Sequence, residues 1–199
     1  MAQSERKPEG HAQGVPEEMS KIILDLCGGT GAWSKPYKDA GYDVRVVTLP
    51  NEDILTYLPP PEVHGILAAP PCTMFSLARQ NAKIPRNFRQ GMKTVEACLR
   101  IIWASRHEGK LSFWALENPT GYLRQFLGVP KFKFKPSEFG DPIGKRTDLW
   151  GYFNPPKKLK VPVDVPIGTH RASLNYHRDP ILRAITPPGF AQAFFKANQ

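Results

Sequence analysis

Apolar positions change period several times along this chain, and each change marks an element. Residues 21–27, KIILDLC, form a short apolar run that stops at Gly28-Gly29-Thr30-Gly31. Such a run predicts a buried parallel strand that enters a tight turn and then a helix. Trp33 to Ala40 suit that helix, with Gly41 ending it. YDVRVVTL (42–49) and HGILAA (64–69) predict two more strands, the latter stopping at Pro70-Pro71. Over residues 86–107 the period lengthens. Phe88, Met92, Val95, Leu99 and Ile102 are spaced by fours and threes and predict a helix with one apolar stripe. Arg89, Lys93, Arg100 and Arg106 lie off that stripe, which predicts a basic outer face. FWALEN (113–118) and LWGYF (149–153) read as further strands, and GFAQAFFKAN (189–198) as a closing helix. Strands alternating with helices predict a three-layer α/β domain with a mainly parallel sheet.

The length, 199 residues, fits one domain over 20–199, with a short basic, Pro-rich insert at about 152–182. Residues 1–19 are polar and read as a poorly ordered lead-in without the apolar centre of a secretory signal. With 41% hydrophobic and 23% charged residues a soluble globular protein is expected. No apolar run approaches the roughly 20 residues of a membrane span. Cys27, Cys72 and Cys98 are an odd set with no zinc spacing. They predict reduced thiols in a cytosol, and no metal site.

Charge is unevenly distributed. Residues 1–80 carry 7 Lys and Arg against 10 Asp and Glu, whereas residues 81–199 carry 20 against 8. A basic second half points to a polyanion, with nucleic acid as the natural candidate, or else to a solvated basic surface.

Candidate chemistry gathers where strands end, which is where ligands bind in such sheets. Gly28–Gly31, Asp53, Pro70–Cys72 and Glu117–Asn118 all occupy these positions. The glycine turn lets backbone N–H groups approach a ligand closely, and is open to a dinucleotide, a methyl donor or a plain tight turn. It lacks G-x-G-x-x-G, because Ser34 stands at the third glycine. Cys72, after two prolines and before Thr73, sits on a stiff exposed turn suited to a nucleophile. Cys98, inside the helix, suits the core. Glu117 follows Trp114-Ala115-Leu116, an apolar mouth that would raise its pKa and let it donate a proton. Capping of the following helix is the other role open to it.

In order, DLCGGTGAWS (25–34), Asp53-Ile54, PPCTMFS (70–76) and Glu117-Asn118-Pro119 resemble the motifs of the DNA cytosine carbon-5 methyltransferases. That family has DLF-x-G-x-GG-F, a DI pair, a Pro-Cys loop and Glu-Asn-Val. FGDPIGKRTDLWG (139–151) and RAITP (183–187) are similar to its later Gln-x-Arg-x-Arg and Arg-x-Leu-Thr segments, so the likeness spans about residues 21–190. It implies a Rossmann-like fold binding S-adenosylmethionine and a compact, phage-like enzyme in a bacterial or phage-infected cytoplasm. Double-stranded DNA is the implied partner. Cys72 would add to carbon 6 of cytosine, Glu117 would hold or protonate ring nitrogen 3, and Lys145 would assist. Asp25, Leu26, Gly29, Thr30, Gly31, Trp33, Asp53, Ile54 and Pro70 would line the cofactor. Pro71, Thr73, Ser76, Asn118, Arg146 and Thr147 would face the substrate.

The chain also departs from the family. Val47-Thr48-Leu49-Pro50 offers no acid for the cofactor ribose, and Ile143, Lys145 and Thr147 replace Gln and two Arg. The family's target-recognition region shrinks to about 30 Pro- and Lys-rich residues that can grip phosphate but hardly read several bases. Weak sequence selectivity, a short target, or a specificity partner or oligomer follows. Three other readings compete. Asn154-Pro155-Pro156-Lys157 approximates the loop of exocyclic-amino methyltransferases without its aromatic residue. The same chemistry could act on RNA or a free cytosine nucleotide, or the chain could be a non-catalytic DNA-binding module.

Overall fold

A computed structural model describes residues 20–77, 82–162 and 184–199. The lead-in 1–19, most of the insert and Arg183 lie outside these residues. Six strands form one sheet: β1 (Ile22–Leu26), β2 (Asp43–Val47), β3 (Val63–Ala68), β4 (Phe113–Pro119), β5 (Phe132–Phe134) and β6 (Thr147–Tyr152). Their order is β2-β1-β3-β4-β6-β5. The first four run parallel, and β6 lies antiparallel between β4 and β5.

Alternation along the strands builds two cores. Leu24, Leu26, Ile66, Ala68 and Leu116 face one way, against Val95, Cys98 and Ile102 of α2 (Phe88–His107). Ile23, Leu67, Phe113, Ala115 and Leu149 face the other way. There they meet Trp33, Tyr37 of α1 (Lys35–Asp39), and Phe190 and Phe194 of the C-terminal helix Pro188–Ala197. The result is the expected three-layer α/β arrangement. Consecutive strands leave β1 in opposite directions, β2 to one side and β3 to the other. A crevice therefore opens beyond the carboxyl ends of β1 and β3.

Local chemistry explains the element boundaries. Asn87 caps α2 by accepting the Gln90 N–H at 2.9 Å, and Arg89, Lys93, Arg100 and Arg106 are exposed as the stripe predicts. Phe88, Met92 and Leu99 are only partly buried, so the stripe centres on Val95, Cys98, Ile101 and Ile102. Helix α1 is shorter than predicted, because Pro36 fixes its first turn and Trp33 stays in the preceding loop. Two short helices, α3 (Arg124–Leu127) and the 3-10 turn Pro136–Phe139, precede β6. The closing helix is α4. The three-residue β5 was not predicted: Phe132 and Phe134 flanked by lysines make too short a pattern to register. None of the described helices is long and apolar enough to cross a membrane.

Candidate functional site

The crevice begins with the loop after β1. Cys27 adopts φ 57°, and its N–H donates to Val47 O at 2.8 Å, so the chain turns sharply at the strand end. Gly29 and Gly31 hold φ 55° and 71°, a region glycine enters without steric penalty. Gly28 is needed for a different reason: a Cβ there would lie 2.3 Å from the Asp25 carboxyl carbon. Asp25 is thus the fully buried floor of the loop. Its Oδ2 accepts the Ser34 hydroxyl at 2.6 Å, while Oδ1 has no partner among the described residues. Burial pushes this carboxyl up to about 6, against the opposing pull of the Ser34 hydrogen bonds. Above the floor, Gly29 and Thr30 are exposed, and nothing lies within 4 Å of a Cβ built on Gly29.

Two residues assigned to the cofactor from sequence belong to the core instead. Leu26 is wholly buried under α2, and its carbonyl accepts the Ala69 N–H at 2.9 Å. Trp33 packs against Phe190 and Phe194 at ring distances of 5.8 and 5.4 Å, so its indole anchors α4 and offers no stacking platform. Asp53 is exposed, and one of its oxygens accepts the Leu55 N–H of its own turn at 2.9 Å. Ile54 is buried beside it. Arg100 reaches from α2 to the carbonyls of Tyr57 and Ile54 at 3.1 and 3.2 Å and fixes that turn.

The ends of β3 and β4 are bound directly together. Asn118, fully buried, donates from Nδ2 to Pro70 O at 2.9 Å. Its side chain therefore holds the Pro-Cys loop, and the substrate contact expected from sequence is not open to it. The Cys72 carbonyl accepts the N–H groups of Phe75 and Ser76 at 2.9 and 2.8 Å, folding the loop into a turn with the thiol half-buried. Pro71 and Thr73 are exposed on its rim. Ser76 pairs with Gly121, and Tyr122 N–H donates to Phe75 O at 2.9 Å, so the segment after Glu117-Asn118-Pro119 lies against the cysteine loop. No side chain fits at Gly121, where a Cβ would meet Phe75 O at 2.3 Å.

Arg86, which the sequence reading passed over, completes the clamp. Its two terminal nitrogens donate to Met74 O and Ser76 O, both at 2.9 Å, and its guanidinium lies 4.9 Å from the Tyr122 ring centre. No spacing signal marks it, because its partners are backbone carbonyls from another segment.

Glu117 is half-buried at the end of β4. Burial holds its carboxyl above the ordinary range, Lys145 pulls it down and Asp148 pushes it up. Lys145 and Arg146 are exposed just before β6, and Lys145 is near enough to Glu117 to act on its carboxyl. Thr147, the first residue of β6, is buried, and its hydroxyl donates to Lys145 O at 3.5 Å, so it holds the strand's approach rather than contacting a substrate. Asp148, fully buried, accepts from Arg124 Nε and Nη2, each at 2.6 Å, and from the Thr120 hydroxyl at 2.9 Å. That pair fixes β6 beside Glu117. Among the described residues no group of His, Cys, Asp and Glu could hold a metal ion.

No protein-family model matches this chain, and no curated protein is similar to it. Among solved structures, it is similar to the DhpI-SAM-HEP complex at 11% identity and a TM-score of 0.29, over 80% of this chain and 72% of that one.

Proposed function

We propose that this chain transfers a methyl group from S-adenosylmethionine to carbon 5 of cytosine in DNA, through a covalent adduct on Cys72. The hydrogen bond from Asn118 to Pro70 carries the reading: it brings the cysteine turn and Glu117 together at neighbouring strand ends, beside the glycine loop. The resemblance of the same segments to the cytosine carbon-5 methyltransferases supplies the chemistry.

The glycine loop fits the methyl donor. Within Gly28–Gly31 only the Gly31 N–H has a backbone acceptor among the described residues, at 2.9 Å. The other N–H groups and the open face of Gly29 leave a strip for a polar ligand, with the unmatched Asp25 Oδ1 beneath. S-adenosylmethionine, when bound, supplies an electrophilic methyl on sulfonium sulfur. Gly28 to Thr30 would hold its polar end, and the Asp53-Ile54 turn its far end.

Carbon 5 of cytosine is a poor nucleophile. Cys72 corrects this by adding its thiolate to carbon 6, forming a C–S bond and shifting the ring electrons towards carbon 5 and nitrogen 3. Glu117, which burial keeps inclined to hold its proton, gives that proton to nitrogen 3 and prevents charge from accumulating on the ring. Carbon 5, made nucleophilic in this way, would then take the electrophilic methyl group that S-adenosylmethionine supplies, its bond to sulfur giving way to the new bond. Loss of the carbon-5 proton to water restores the double bond and expels the Cys72 thiolate, and nitrogen 3 returns its proton to Glu117. Lys145 and Arg146, with Ser76 and Thr73 on the rim, face the flipped base and its phosphates.

The test is incubation of the protein and Cys72→Ala with labelled S-adenosylmethionine and duplex DNA, followed by nucleoside analysis. Carbon-5 methylcytosine is expected from the parent alone. Label on another atom, or equal product from both proteins, would sink the mechanism. Label in RNA or in cytosine nucleotides but not in DNA would move the substrate and keep the chemistry.

A further inference from the structure

The sheet edge beyond the site carries an unusual charge arrangement. Residues 128–162 hold eight Lys and Arg against three acids, Glu138, Asp141 and Asp148. Asp141 and Asp148 are buried, and Glu138 is half-buried and paired. Glu138 accepts from Lys158 Nζ at 2.9 Å and from the Lys135 N–H at 2.7 Å. Asp141 accepts the Gly189 and Phe190 N–H groups at 3.0 and 3.1 Å, and Asp148 is held by Arg124. Lys131 is also engaged, donating to Phe153 O at 2.6 Å. Lys133, Lys135, Lys145, Arg146, Lys157 and Lys160 remain, all exposed and outside the salt bridges among the described residues.

Register makes these six a continuous path. Lys133 pairs with Asp148 of β6, which pairs with Asn118 of β4. Phe134 is likewise level with Thr147 and Pro119. Lys135 therefore stands at the carboxyl end of the sheet, level with the approach of Lys145 and Arg146 to β6. Lys158 Nζ donates to Lys133 O at 2.8 Å and Leu159 N–H to Glu138 O at 2.9 Å, which lays Lys157 and Lys160 alongside the same edge. Phe134 on the other face of β5 stacks on Phe190 at 4.1 Å, so the strand is anchored from one side and basic on the other.

Lysines on an edge strand also deter pairing with another chain. That role accounts for Lys133, and for Lys135 next to the strand, but not for the other four cations in the same field. We infer that the β5 edge is a phosphate track: it binds the backbone of the nucleic acid that enters the site, flanking the target base and independent of sequence. The inference rests on the proposed substrate class. It supplies by charge a grip that needs no base contacts.

The test measures binding of the full chain to a labelled duplex of about 30 base pairs, and to a single strand of equal length, across a salt series. Lys133→Ala/Lys135→Ala should bind the duplex roughly tenfold more weakly. It should also flatten the slope of log K against log salt by about 2, one unit per lost phosphate contact. Lys38→Ala, on α1 beside the opposite edge, should behave as the parent. An unchanged affinity and slope in the double variant, with unchanged melting, would overturn the track while leaving the methyl-transfer reading intact. A track lost with the double variant, in a parent that binds DNA yet modifies no base, would keep the track and remove the reaction. A parent that binds neither nucleic acid would remove both, and preference for the single strand would reassign the track to unpaired substrate.

Discussion

Asp25 shows how one residue can be both scaffold and liability. Its carboxyl fills the space that a side chain at position 28 would take, and burial raises its pKa from 3.8 to about 6. The folded state therefore holds this proton more tightly than the unfolded chain. Its contribution to stability is full below about pH 4 and is lost as the pH rises through 6, a swing of about 3 kcal/mol at 1.36 kcal/mol per unit. Asp25→Asn preserves the shape and an oxygen for the Ser34 hydroxyl but removes the titration. Urea unfolding at steps from pH 4 to pH 8 should show the parent losing roughly 2–3 kcal/mol relative to the variant. Parallel curves would mean that Asp25 does not titrate with folding.

At the level of elements, the site depends on a loop held by donors from three other segments. Arg86, just before α2, spans two carbonyls of the Cys72 turn and lies over Tyr122, and Asn118 of β4 holds its first residue. A lysine at 86 keeps the charge but cannot bridge both carbonyls with one planar group. Arg86→Lys should therefore slow single-turnover methyl transfer by roughly ten- to a hundredfold, since small misplacements of a reacting group cost that much. Donor binding and melting temperature should change little. A parent-like rate would show that the loop keeps its geometry without the clamp.

Across the whole molecule, the last helix returns to support the first loop. Phe194 of α4 is fully buried against Trp33, Phe113 and Phe153, and Tyr37 of α1 donates its hydroxyl to Asn198 O at 2.8 Å. Phe194→Ala should cost about 3–5 kcal/mol in unfolding free energy, the usual range for a truncated core aromatic. It should also weaken donor binding in calorimetry, because Trp33 joins α4 to the glycine loop. Loss of stability with unchanged donor affinity in the remaining folded protein would separate the two.

Periodicity and turn residues were enough to place the parallel strands, the long helix and the site segments. Those signals are local, arising from side chains that alternate on a strand or align on a helix, and from glycine and proline dihedral preferences. The gathering of Gly28–Gly31, Cys72 and Glu117 at strand ends was legible for the same reason. What each site residue does there was not. Leu26 and Trp33 read as ligand contacts and are core, Asn118 and Thr147 read as substrate contacts and hold backbone, Arg86 gave no signal, and Arg100 read only as part of a basic outer face. Most of these outcomes depend on partners ten or more residues away, many of them carbonyls whose positions exist only after folding. The reversed direction of β6 and the pairing of β5 are of the same kind. Hydrogen bonding across strands sets them, so only the tertiary structure decided that the basic edge adjoins the site.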